Sequence, residues 1–150
     1  MEHTAADELG PVLEELGRAE CLDLLRRAAF GRLVMSERCI PVAFPVNVSV
    51  VDGDVIFTTD DGPKLDAARR GDVLTIEADE IDRTYHTGWS VLVTGVAQVV
   101  TETAAVVRAR QELTPTWVPG HSAHVVRIPA THVTGRRLNW VSPAAVPIAR

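Results

Sequence analysis

Ile40-Pro41-Val42-Ala43-Phe44-Pro45-Val46-Asn47-Val48-Ser49-Val50-Val51-Asp52-Gly53-Asp54-Val55-Ile56-Phe57-Thr58-Thr59 is the stretch on which the fold reading turns. Val42, Phe44, Val46, Val48 and Val50 fall on one side of an extended chain, which by period alone is a core face. Ala43, Pro45, Asn47, Ser49 and Val51 fall on the other, a small and polar set suited to solvent or a ligand. Asp52-Gly53 is a strong two-residue hairpin signal, so Asp54 to Thr59 returns as an antiparallel partner. A doubly wound parallel sheet would need a helix at that point, and the hairpin forbids one.

Outward from the hairpin, Asp60-Asp61-Gly62-Pro63 breaks the sheet, and Lys64 to Arg70 reads as a short helix with Pro63 at its first turn. Asp72 to Ala78 is a strand, Asp79 to Thr87 a charged loop, and Gly88 to Val100 a long strand. Thr101 to Leu113 is helical with Thr101 as its cap. Thr114 to Ser122 is a loop. Ala123 to Leu138 is a last strand interrupted near Pro129. On the other side, Val12 to Ala29 has helical spacing, with Gly17 open to splitting it in two. Gly31 ends that helix and opens a strand through Met35. Residues 1–11 read as a loose arm and residues 139–150 as a tail that packs on a partner or frays. The sum is one mainly β domain with a few short helices and six antiparallel strands, a barrel or a sandwich.

The 150 residues suit a single domain, with 46% hydrophobic and only 5% aromatic residues, a balance that favours β-branched strands. A net charge of -5 argues against a nucleic-acid groove, though a small anion held by local donors is still allowed. No apolar run approaches the roughly 20 residues of a membrane helix. Cys21 and Cys39 make no disulfide framework and read as reduced thiols of a cytoplasmic protein.

Three stretches carry candidate chemistry. Thr58-Thr59-Asp60-Asp61-Gly62-Pro63-Lys64-Leu65 sets two hydroxyls, a glycine turn and an ammonium at a helix start. Those are the donors a phosphate monoester needs. Asp60 and Asp61 would repel it unless they turn away, and a capped helix with a surface lysine is the plain alternative. Phe44-Pro45-Val46-Asn47 puts a proline inside a strand, hence an edge, bulge or bend. Asn47 beside it can donate and accept along a flavin pyrimidine edge, or simply face water. Trp89-Ser90-Val91 with Gly95 offers a hydroxyl and a close-approach glycine, or an ordinary strand with a tryptophan anchor. His121 and His124 lack acidic or thiol partners and make a poor metal site, so none is expected. No nucleophile elbow or dinucleotide fingerprint appears.

Taken in order, these pieces resemble the pyridoxamine 5′-phosphate oxidase-like split barrels. They are Glu20-Cys21-Leu22, Phe30-Gly31-Arg32-Leu33, Phe44-Pro45-Val46-Asn47, Gly62-Pro63-Lys64-Leu65, Trp89-Ser90-Val91 with Gly95, and Val133-Thr134-Gly135-Arg136-Arg137. The match runs over residues 12–138, and is most like the small actinobacterial and nitroimidazole-reductase-like branches. The resemblance implies a six-stranded split barrel that dimerises through a broad face, with two flavin mononucleotide (FMN) sites at the interface. It implies that Thr58 or Thr59 and Lys64 hold the phosphate. The ring would lie along Pro45, Val46 and Asn47 with Ser90 nearby, and Trp117, Arg136, Arg137 or Trp140 of a second copy would complete the site. The activity implied is hydride or electron transfer to a small organic substrate by the cofactor itself, with no catalytic side chain assigned. The basic substrate-phosphate site of the vitamin oxidases is missing, so that activity is not carried over. Two alternatives stand beside FMN: a deazaflavin, whose anionic tail would want more than the single lysine present, and a non-catalytic flavin or haem storage module.

Overall fold

The computed structural model describes residues 11–115 and 122–140. In chain order these form β1 (Pro11–Glu15), α1 (Arg18–Ala28), β2 (Phe30–Glu37), β3 (Ile40–Val51), β4 (Asp54–Thr59) and α2 (Pro63–Arg70). There follow β5 (Val73–Asp82), β6 (Thr87–Val96), β7 (Gln98–Val100), α3 (Thr103–Glu112), β8 (His124–Ile128) and β9 (His132–Trp140). All strand pairs are antiparallel, in the order β1-β9-β6-β5-β2-β3-β4-β8-β7. No pairing among the described residues joins β1 to β7, so this is one open sheet of nine strands, not a closed ring of six.

The three additional strands have physical reasons. The long strand expected over 88–100 splits at Ala97, whose N–H turns to the Asp72 carbonyl at 3.0 Å, leaving β6 and β7. The one expected over 123–138 splits at Pro129, which cannot donate to a ladder. Pro11–Glu15, read as arm and helix, is an edge strand instead. All five residues are exposed and pair with β9 from Trp140 back to Arg136. Only that distant partner makes them a strand, and local spacing carries no trace of it.

α1 therefore begins after Gly17 and buries Cys21, Leu22, Leu24 and Leu25. It ends at Ala29 in the left-handed region (φ 59°), two residues before the expected Gly31. Gly31 serves β2 instead, where an added β-carbon would stand 2.7 Å from the Glu77 carbonyl oxygen. The charged loop expected over 79–87 is largely ladder. Asp79 to Asp82 pair with Ser90 to Thr87, and the turn is held by Asp82 Oδ1, which accepts the N–H groups of Thr84 and Tyr85. Thr101 does not cap α3; Glu102 holds that position without a side-chain bond.

β3 bends the sheet around its core. Ile40–Asn47 pair with β2, and Val48–Val51 pair with β4, so one strand serves both halves. Pro45 thus sits in a half-strand bonded on one side only, where its missing N–H breaks nothing. At the tip, Asp52 (φ 52°) and Gly53 (φ 81°) have the paired positive angles of a tight hairpin turn. Val46, Val48, Val50, Val55 and Phe57 join the main core with Leu33, Ile76, Val91 and Val93. A second cluster of Ile56, Ala109, Leu113 and Val125 packs α3 on the outer side of β4 and β8. Val51 leans on that cluster and Ser49 is 3% exposed, so part of the face expected to meet solvent is covered.

Candidate functional site

The corner where β4 ends and α2 begins gathers most of the expected phosphate donors. Thr58 and Thr59 are both buried, but strand alternation separates their side chains. Thr59 follows Phe57 toward the main core, and its Oγ1 donates to the Asp60 carbonyl at 3.1 Å. Thr58 follows Ile56 toward the cluster under α3. Only one of the two hydroxyls thus lies on the α2 side.

The carboxylates of the corner have partners at the start of β8. Asp60 Oδ1 accepts the backbone N–H groups of Ser122 and Ala123 at the entry to β8. Asp61 Oδ1 lies 3.3 Å from His124 Nε2. His124 arrives as the cross-strand partner of Thr59, a placement no local spacing discloses. α2 then starts at Gly62 (φ 143°), around which a β-carbon would meet nothing within 4 Å. Its first N–H groups have no partner in their own helix, and the helix dipole favours an anion there. Lys64 Nζ sits 4.9 Å from the centroid of the Phe44 ring and has no carboxylate partner among the described residues. Hydroxyl, helix start and ammonium, with both aspartates partnered, fit a phosphate monoester.

Along β3, Val46 is buried in the core while Pro45 and Asn47 face outward. Asn47 Nδ2 donates to the Thr114 carbonyl at 3.3 Å, which leaves its oxygen to accept. Pro45 is the register partner of Arg32, and the two share a concavity of about 200 Å³ with Phe30, Gly31, Ala78 and Asp79. Arg32 Nη1 donates to Glu77 Oε2 at 2.9 Å and Asp79 Oδ1 at 3.4 Å. Those bonds, Glu77 first and Asp79 second, push the guanidinium pKa above its ordinary value. Nothing in the local sequence marks Arg32, because its partners lie on β5.

Ser90 lies on β6 between Asp79 and Arg136, in a concavity of about 310 Å³ that shares Asp79 with the one at Pro45 and includes Leu13, Ile81, Trp89 and Leu138. Arg136 makes no ion pair among the described residues. Arg137, on the opposite face of β9, is tied to Glu20 and Glu14 beside α1. Trp117 lies outside the described residues, and Trp140 is the last residue of β9. A cavity of about 530 Å³ between α3, β7 and the β3–β4 turn holds none of the expected residues. Among the described residues no three His, Cys, Asp or Glu side chains converge as metal ligands would, and no helix is long and apolar enough to cross a membrane.

The chain and its fold are similar to known proteins. A family model described as pyridoxamine 5′-phosphate oxidase matches residues 17–137. The uncharacterized protein Rv0080 of Mycobacterium tuberculosis is 40% identical over 129 residues, covering 83% of this chain and 84% of that one. The structure of the FAD binding protein from Mycobacterium smegmatis is 34% identical with a TM-score of 0.65, over 85% of this chain and 100% of that one. A FAD-binding protein from Mesorhizobium loti superposes with a TM-score of 0.74 over 87% of this chain and 99% of that one; at 22% identity the likeness is one of fold.

Proposed function

This chain belongs to the pyridoxamine 5′-phosphate oxidase family, and from that premise we propose that it is a homodimeric flavin-binding oxidoreductase. It binds FMN and passes hydride or electrons to a small organic substrate. The observation that carries this reading is the set of donors at the corner. Lys64 and the start of α2 meet the end of β4 there, and the carboxylates of Asp60 and Asp61 each have partners at β8. A bound flavin supplies the redox chemistry. The chain's part is to hold and orient it. Lys64 and the α2 N–H groups grip the phosphate, with Thr59 as the hydroxyl on that side. Pro45 gives the ring a flat apolar wall, and the Asn47 oxygen accepts from the ring's N–H edge.

The concavity of Ser90 and Arg136 includes none of the phosphate donors, which supports a site shared between two copies. Ser90 and Arg136 of one copy would meet the corner of the other. Val34, Val73, Leu92 and Val96, each 38–63% exposed on the outer face of β2, β5 and β6, supply apolar area for that contact.

FAD in place of FMN is a second reading, favoured by the FAD-binding protein of Mycobacterium smegmatis. Both nucleotides contain the FMN half, so the corner serves either. Titrating purified protein with FMN, FAD and riboflavin, followed by flavin fluorescence and the visible spectrum, tests the reading. Saturable binding of a phosphorylated flavin, much tighter than riboflavin, is expected. Absence of binding by all three would remove the proposal.

A further inference from the structure

The guanidinium beside Pro45 is paired with two carboxylates, and its surroundings point to another task. Arg32, Glu77 and Asp79 form a compact cluster on the outer face, with Arg32 Nη1 at 2.9 Å and 3.4 Å from the two carboxylates. Pro45 and Asp79 line one concavity with Arg32 between them. Register fixes the cluster: Arg32 stands opposite Pro45 on one side and Glu77 on the other, and Asp79 is two residues along the same face of β5. Fully exposed charges would gain little from this grouping. Here the carboxylate side chains are only 22% and 35% exposed, so the field they make is partly shielded from water.

We propose that Arg32, Glu77 and Asp79 are an electrostatic positioning group that sets the reduction potential of a flavin ring lying on Pro45. This rests on the ring placement proposed above. Oxidised flavin is neutral at its ring, whereas the two-electron reduced ring near neutral pH carries negative charge on its pyrimidine side. Charge held beside the ring therefore acts on the reduced form. One guanidinium against two carboxylates leaves the group negative, which disfavours the reduced ring and makes it a stronger donor. Arg32 limits that effect and holds the two carboxylates together.

The test is the midpoint potential of the flavin-loaded protein, measured by dye equilibration, with flavin affinity measured alongside. Asp79→Asn and Glu77→Gln each remove a negative charge, and each is expected to raise the potential. A tenfold change in the reduced-to-oxidised ratio is about 30 mV for a two-electron couple. Arg32→Gln is expected to lower the potential by a similar factor. Opposite signs are the signature, since damage to local structure would not reverse with the charge removed. If flavin binds normally and the three variants leave the potential unchanged, or move it in one direction, the group has no such role. If the unaltered protein binds no flavin, the ring placement itself falls, a separate and earlier failure.

Discussion

The Lys64 ammonium lies over the face of the Phe44 ring, 4.9 Å from its centroid, so the one lysine of the chain is held at the α2 start by an aromatic side chain instead of a carboxylate. Such a contact fixes the stem at a cost of little charge neutralisation, which keeps the ammonium available to an anion. Lys64→Ala is expected to weaken FMN binding by about 1–3 kcal/mol, the range of a charge-assisted bond. Riboflavin, which lacks the phosphate, should bind the variant and the parent alike. Fluorescence titrations with both ligands decide it, and equal losses would take Lys64 out of the phosphate site.

Asp60 is a second hinge of the same corner. Its carboxylate closes the backbone N–H groups of Ser122 and Ala123, and so ties the end of β4 to the beginning of β8. Asp60→Ala leaves those donors without that acceptor. A stability loss of about 1–3 kcal/mol is expected in urea unfolding. A variant as stable as the parent would mean that water replaces the carboxylate without cost.

How much of this was readable in advance follows from the range of the interactions involved. The Asp52-Gly53 turn, the alternation from Val42 to Val50 and the proline-started helix at Pro63 are decided within a few residues, and each stands where the sequence put it. β1 is not legible locally, because Val12 and Leu13 become a strand only when β9 pairs with them. The partner of Asp61 is His124 and those of Arg32 are Glu77 and Asp79, 63, 45 and 47 positions away in the chain. Register across a bent sheet sets those contacts, and register is a property of the whole sheet.

Gly95 illustrates a local signal with a distant cause. As a glycine inside a strand it suggests close backbone approach, and in the fold a β-carbon there would collide with the Pro129 carbonyl oxygen. That atom is main chain at the β8–β9 connection and cannot rotate away. Gly95→Ala is expected to cost about 3 kcal/mol through overpacking, seen as a lower urea midpoint. An unchanged midpoint would show that the Pro129 turn moves freely.

The two thiols should differ in reactivity. Cys21 is buried, and burial first, then the charge of Glu20, pushes its pKa above the ordinary value. Cys39 is exposed in the β2–β3 turn. Because the thiolate is the nucleophile, iodoacetamide at mildly alkaline pH should label native protein at Cys39 alone, and label Cys21 only after denaturation. Peptide mass analysis reads the outcome. Rapid labelling of Cys21 in native protein would mean that α1 lifts from β9, where Cys21 packs against Gly135.

Leu92 provides the test of the shared site. It is 42% exposed on the outer face, opposite Glu77 in the β5–β6 ladder and in the same row as Arg32. In a monomer, Leu92→Lys replaces one exposed side chain with another and should leave stability within about 0.5 kcal/mol. In a dimer that buries this face, it forces an ammonium into an apolar contact against its own copy. The variant should therefore sediment as a monomer where the parent sediments as a dimer. If Ser90 and Arg136 of the second copy complete the site, flavin binding should weaken in parallel with dissociation. Monomeric Leu92→Lys protein that binds flavin as tightly as the parent would confine the whole site to one chain. A parent that is itself monomeric would remove the second copy altogether.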